Sequence, residues 1–439
     1  MQNPPVLNTT PGYRIILGWG LGSLGLSTIL NTLNVLLLAY LTLVVGIEPA
    51  LAGSIILVVK LYDVVTDLPM GWISDRTISR WGGRRPYLLA AGLLTPPTMV
   101  MLFSAPESGS INYIVTALLL YATGYTLFNV PYLSMPTELA SNTHVRTRMM
   151  AHRSAFIAGG TFFGVALAPY LVGYFGGGAT AYAMLGKVMA IFVAIGFIGC
   201  FLMTGDKALK PKKTAIMPLS QQLKIVFANR HFKTLLFIKI THLLALATGA
   251  GSLFFFIRYA LGYDLQILGI YGAATTLAWA ISMPMWSRLA KSRGKRVGYF
   301  IATAAYVLIT ASWALAQSGE PMPLLIARAV LFGIVSGGML LMGNAMLQDV
   351  MDLDFRTTGK RKNGLFAGLY SLTEKITSGI GAQILGLVLS VYGFDRAVAV
   401  QSPDAITGIY ITAALIPALL MLVSLVAIHH YRLDESELT

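Results

Sequence analysis

Between residues 13 and 429 the chain reads as a succession of apolar stretches, each long enough to cross a bilayer and separated from the next by a short polar loop. A crossing helix needs about 20 apolar residues. Twelve such stretches fall near 13–45, 50–74, 86–105, 112–138, 150–175, 181–204, 233–261, 266–289, 298–317, 323–348, 364–393 and 404–429. Charged residues make up 11% of the chain, against about 25% in a soluble domain, so a soluble protein of this size would lack the polar surface to cover itself. The expectation is an all-α polytopic membrane protein. A single cysteine, Cys200, lies in an apolar run and has no partner for a bridge or a cysteine-rich metal site.

The net charge of +14 raises the question of nucleic acid, and its distribution answers it. If both termini are cytoplasmic, 24 of the 32 Lys and Arg fall on that side, whereas the opposite loops hold Arg396 among Glu48, Glu107, Asp264, Glu320, Asp395 and Asp404. Basic loops alternating with acidic ones follow the positive-inside pattern. The charge therefore reports topology in an inner or plasma membrane and implies no nucleic-acid partner. The first dozen residues lack the basic head and cleavage site of a signal peptide, so the first span is expected to stay in the membrane.

The longest polar stretch, 205–230, halves the chain. It divides an N-terminal six-helix bundle (1–204) from a C-terminal six-helix bundle with a short tail (231–439). Loop 71–87 has a counterpart in 285–299, and the RTR at 146–148 in the basic run 356–362. Matched halves of six spans imply parallel repeats with a site at mid-depth. Glycines cluster inside spans, at 18–25, 157–164 and 378–386, where small residues permit close helix packing.

Ionisable residues inside spans are costly and point to function. Span two carries Lys60, Asp63 and Asp67 on one stripe with Gly71. Two carboxylates with a hydroxyl such as Thr66 supply oxygen ligands for a cation, or share a proton. The alternative is a structural Lys60–Asp63 pair, which leaves Asp67 unexplained. Pro69 follows within the span and frees a backbone carbonyl. Asn31, Asn34, Thr126, Asn129, Arg153, Glu374 and Lys375 are further polar groups inside spans, while Lys187, Lys239, Arg258 and Arg328 sit nearer span ends and read as interfacial. There is no GxxxxGK[ST] box and no zinc spacing among the six histidines. A membrane-embedded transferase using Asp349, Asp352 and Asp354 is the alternative from another class, although their basic neighbours read more simply as a charge-paired gate.

The segments YDVVTDLPMGWISDRTISRWGGRRPYLL (62–89), YTLFNVPYLSMPTEL (125–139) with RTRMMAHR (146–153), and DVMDLDFRTTGKRKNGLFAGLYSLTEK (349–375) together resemble three blocks of the glycoside–pentoside–hexuronide:cation symporters, the melibiose-permease-like branch of the major facilitator superfamily. The resemblance spans essentially the whole chain. It implies twelve helices, alternating access, and uptake of a glycoside, sugar or sugar acid driven by sodium or protons, with no cofactor beyond that ion. Asp63 and Asp67 match the cation-binding pair, and Thr126 matches the hydroxyl that joins them. Arg153 and Lys375 match basic residues lining the substrate site, for which Asn129, Asn34 and Tyr125 are further candidates. Ser27, Asn129 and Leu133 stand where relatives that bind galactosides carry two acids and a tryptophan, which favours a neutral or anionic substrate. A lysolipid or other amphiphile carrier of the same fold is the alternative within transport. A monomer is expected.

Two further expectations concern mechanism. Asp75, Asp349 and Asp352 are expected to pair with arginines across the halves at the cytoplasmic face, beside Arg84 and Arg85, and to release on inward opening. Lys375 is expected to point towards the carboxylates of span two, so that cation loading frees it for substrate.

Overall fold

The computed structural model describes residues 12–106, 110–139, 143–205, 227–359 and 363–431. The lysine-rich part of the expected linker, Lys360 to Lys362, Arg432 and the rest of the tail lie outside the described residues, as does the side chain of Arg146.

Among the described residues the fold is all-helical, with twelve long helices. They are α1 (Tyr13–Leu43), α2 (Pro49–Arg76), α3 (Arg85–Phe103), α4 (Ile111–Ser134), α5 (Thr143–Phe162 continuing to Ala168–Tyr174), α6 (Ala179–Met203), α7 (Arg230–Phe255), α8 (Leu265–Arg293), α9 (Lys295–Ala311), α10 (Met322–Thr358), α11 (Asn363–Val391) and α12 (Pro403–Tyr410 continuing to Ile416–His430). Ten have the length and apolarity to cross a membrane unaided. The remaining two, α2 and α11, are long enough but carry Lys60, Asp63 and Asp67, and Glu374 and Lys375.

Local chemistry sets the helix ends. Ser110, Asn229 and Ser402 each accept a backbone N–H in the first turn of α4, α7 and α12. Gly294, at φ 82°, lets α8 turn directly into α9, and Gly359, at φ 66°, ends α10. Single π-helical turns interrupt α5 at Phe163–Leu167 and α12 at Ile411–Leu415, and one extends α7 at Phe256–Ala260.

Packing resolves two compact units. One comprises the described parts of Met1–Thr32, Tyr62–Gly164 and Ala179–Thr214. Its core stacks Phe128 on Phe197 with ring centroids 3.7 Å apart. In the same unit, Trp19 donates to the Tyr132 carbonyl at 3.1 Å while the Tyr132 hydroxyl donates back to the Trp19 carbonyl at 2.8 Å.

The other unit comprises the described parts of Leu33–Leu61, Val165–Gly178 and Ala215–Thr439. Its core joins Phe232 and Leu235 of α7, Tyr299 of α9, Met342 and Met346 of α10, Phe366 and Tyr370 of α11, and Met421 of α12. Glycines seat the early segments on it. A Cβ at Gly386 would overlap the Pro49 carbonyl, and one at Gly272 the Val165 carbonyl, so α2 on α11 and α5 on α8 are backbone-to-backbone contacts. For these glycines close packing is the structural role.

Candidate cation and substrate site

Helix α2 has two faces of opposite character. Val58, Leu61, Val65, Leu68 and Trp72, spaced alternately by three and four residues, are exposed and apolar, as a lipid-facing stripe must be. The opposite side carries Asp63, buried, and Asp67, half-buried. Pro69 lies inside the helix and cannot donate to the Val65 carbonyl, two residues beyond the start of this carboxylate pair.

Helix α4 brings the third oxygen. The Thr126 hydroxyl lies 2.6 Å from Asp63 Oδ1 and 3.2 Å from Asp67 Oδ1. Thr66 contributes a further hydroxyl 3.4 Å from that of Thr126, itself donating to the Tyr62 or Asp63 carbonyl. A hydroxyl has one proton and serves one carboxylate at a time. With both acids ionised, the second oxygen would face a lone pair, and a bound cation or a shared proton removes that repulsion. The arrangement is therefore chemically suited to a monovalent cation or a proton. Around it, Tyr62 and Thr123 exchange a hydrogen bond at 3.0 Å that fixes α2 against α4 one turn away.

The expected substrate residues fall in both units. In the first, Asn129 is half-buried on α4, and Tyr125 is buried with its ring 6.2 Å from that of Tyr121. Arg153 on α5 holds its guanidinium 6.0 Å from the Trp19 ring, and its buried Nε has no hydrogen-bond partner among the described residues. Asn31 donates to the Ser27 carbonyl at 2.8 Å and to the Thr161 hydroxyl at 3.3 Å, which gives it a structural role. In the second unit, Asn34 accepts from the Ser378 hydroxyl at 2.9 Å, and Lys375 is half-buried on α11.

The gating residues pair within their own units. Arg84 meets Asp75 at 3.0 Å across the α2–α3 loop, and Arg85 donates to the Phe201 carbonyl at 2.8 Å. Lys295, at the start of α9, grips Asp349 of α10 through both carboxylate oxygens, at 2.5 and 2.8 Å. Asp352 is exposed. Asp75 and Asp349 thus each have a partner within their own unit.

Two lysine and arginine expectations are corrected. Lys239 is buried: its ammonium binds Glu374 Oε1 at 2.7 Å and lies 3.3 Å from the centre of the Tyr370 ring. Arg328 is likewise buried, bound to Glu320, donating from Nε to the Ser312 hydroxyl at 3.1 Å and lying over Trp313. Arg258 and Lys187 are exposed, as interfacial residues should be. The sequence signal for Lys239 is its place beyond the apolar run 235–238, a turn and a half past the last preceding charge, Lys233.

Residues 18–435 match the family described as MFS/sugar transport protein. A glucuronide carrier protein homolog of Escherichia coli strain K12 is 27% identical over 450 residues, covering 98% of this chain and 95% of that one. The isoprimeverose transporter of Lactiplantibacillus pentosus is 26% identical over 415 residues, covering 91% and 85%. Among solved structures, a variant of the nucleoside transporter NupG superposes with a TM-score of 0.70 at 14% identity, covering 96% of this chain and 99% of that one. The chain belongs to the MFS/sugar transport family, with the major facilitator fold. It is a multi-pass membrane symporter and not an enzyme, so the transferase alternative for Asp349, Asp352 and Asp354 falls away.

Proposed function

We propose that the protein couples entry of a sodium ion or a proton to uptake of a glycoside, sugar or sugar acid by alternating access across an inner or plasma membrane, with both termini cytoplasmic. The observation that carries the coupling is the Thr126 hydroxyl held between Asp63 and Asp67. Cation binding belongs to Asp63, Asp67 and Thr126, with Thr66 supporting. Substrate binding is assigned to Asn129, Tyr125 and Arg153 in one unit and to Asn34 and Lys375 in the other. The unpartnered Arg153 Nε supports a hydroxylated or anionic substrate, since a buried charged donor gains most from such an acceptor. The names of the two relatives, one for a glucuronide and one for isoprimeverose, support the same class.

Coupling follows if each ligand alters the charge environment the other meets. Lys375→Ala should then weaken substrate binding and shift the apparent cation affinity together.

Counterflow in proteoliposomes with glycosides, uronides and lysolipids, under imposed sodium or proton gradients, tests the reading. Saturable sugar uptake driven by one gradient supports it. Asp63→Asn and Asp67→Asn should abolish accumulation while substrate exchange partly survives. Accumulation by both variants at the unmodified level would remove the cation assignment, and uptake of lysolipid alone would replace the sugar reading with an amphiphile carrier.

A further inference from the structure

In a membrane-spanning helix the residues exposed on a face report the solvent that face meets, because lipid offers no hydrogen bonds and charged groups are excluded from it. Helix α12 exposes Leu415, Leu419, Leu422, Val423 and Val426, a face made for lipid. Helix α11, in the same unit, exposes Ala367, Gly368, Ser371 and Glu374 along its first half. That face carries small and polar groups and a carboxylate, and is suited to water. The neighbouring α10 repeats the pattern with Asn344, Gln348 and Asp352, each four residues after the last.

Glu374 stands out on this wall. Its side chain is 54% exposed, whereas that of its partner Lys239 is 8% exposed. The lysine is locked by packing against Tyr370 and by the 2.7 Å bond to Glu374 Oε1, so it cannot itself turn to a ligand. What the pair presents outward is the second carboxylate oxygen of Glu374. An ionised carboxylate only accepts hydrogen bonds, so its ligand must bring O–H or N–H donors. The ammonium beneath balances its charge and fixes its direction, as a buried counter-ion must if the carboxylate is to stay in place.

We propose that Glu374 is a substrate-binding residue that accepts hydrogen bonds from the hydroxyls of a polyhydroxylated substrate, with Lys239 as its positioning residue. The proposal rests on the glycoside or sugar reading above. It adds that the site discriminates against a carboxylate placed at this contact, because two like charges would meet there.

The test uses matched probes, p-nitrophenyl β-glucoside and p-nitrophenyl β-glucuronide, together with thiol accessibility. The one native thiol, Cys200, is fully buried and gives little background. Glu374→Cys should react with a hydrophilic methanethiosulfonate at least about tenfold faster than the lipid-face control Val423→Cys, and glucoside should slow it. Equal, slow labelling of the two would overturn the aqueous face and the proposal with it. Glu374→Gln should lose about tenfold or more in glucoside affinity, the scale of a charge-assisted hydrogen bond, and should shift preference towards glucuronide while sodium or proton binding persists. Lys239→Met should lower affinity similarly, and the double variant should be no worse than Glu374→Gln alone. Unchanged glucoside affinity in Glu374→Gln, with the unmodified protein transporting glucoside, would overturn this inference alone. Transport of no sugar by the unmodified protein would overturn the sugar reading and this inference together.

Discussion

Thr126 donates to Asp63 Oδ1 at 2.6 Å while standing 3.2 Å from Asp67 Oδ1, so a single hydroxyl joins two carboxylates of a neighbouring helix. Thr126→Val keeps the shape and removes the oxygen. If the hydroxyl is a cation ligand, the variant should need about tenfold or more cation for half-maximal coupled uptake, and Thr126→Ser should restore most of it. Under a proton gradient the hydroxyl acts only as a hydrogen-bond partner, so the same variant should show a smaller loss. Uptake against titrated sodium at fixed pH, and against pH without sodium, separates the two.

Asp349 is held by both oxygens to Lys295, with both side chains less than one-third exposed. The pair ties the start of α9 to α10 and gives that carboxylate a structural partner. Lys295→Met and Asp349→Asn should each lower thermal stability by about 1–3 kcal/mol, because each leaves a partly buried charge without its counter-ion. Exchanging the two residues should recover part of that loss. The check is the unfolding midpoint of detergent-purified protein, and full stability in both single variants would show the pair to be incidental.

Much of this was legible in the sequence, for physical reasons. Apolar length and alternating loop charge impose twelve helices, and charge is so unwelcome in a span that Asp63 and Asp67 declared themselves, four residues apart on one face. Thr126 stood out as a polar group inside its span, but its role beside the two carboxylates needed the family resemblance. Pairings across distant helices were not legible. Lys239 and Glu374 are separated by 135 residues, and which of α11's faces meets α7 is decided by packing around Phe366 and Tyr370. Nor did periodicity reveal that α1, α2 and α5 each run through both packed units, since a helix reads the same on either side of that division.

The glycine contacts give a paired stability test. At Gly272 a side chain would meet the Val165 carbonyl, whereas at Gly368, also inside a helix, nothing lies within 4 Å of the added Cβ. Gly272→Val should therefore force α5 from α8 and lower both expression and transport. Gly368→Ala should be neutral or stabilising by roughly 0.5–1 kcal/mol, the usual gain of alanine over glycine in a helix. Comparable behaviour of the two variants would contradict the close approach.

Arg328 and Arg258 both looked interfacial by position, and the structure separates them. Arg258 pairs with Asp264 at 3.4 Å with both side chains largely in the open, so screening leaves the pair little to contribute. Arg328 is buried with Glu320 and is further held by the Ser312 hydroxyl and carbonyl and the Trp313 ring. Removing the guanidinium strands a buried carboxylate, and breaking such pairs costs about 3–5 kcal/mol. Arg328→Met should lower the unfolding midpoint far more than Arg258→Met, which should leave it unchanged. Glu320→Gln should fall between them, because Ser312 and Trp313 still receive the cation. The double variant Arg328→Met/Glu320→Met should recover much of the single-variant loss, since no buried charge remains. If Arg328→Met proved as mild as Arg258→Met, the arginine would be interfacial after all, and the buried pair would not be what fixes the α9–α10 connection.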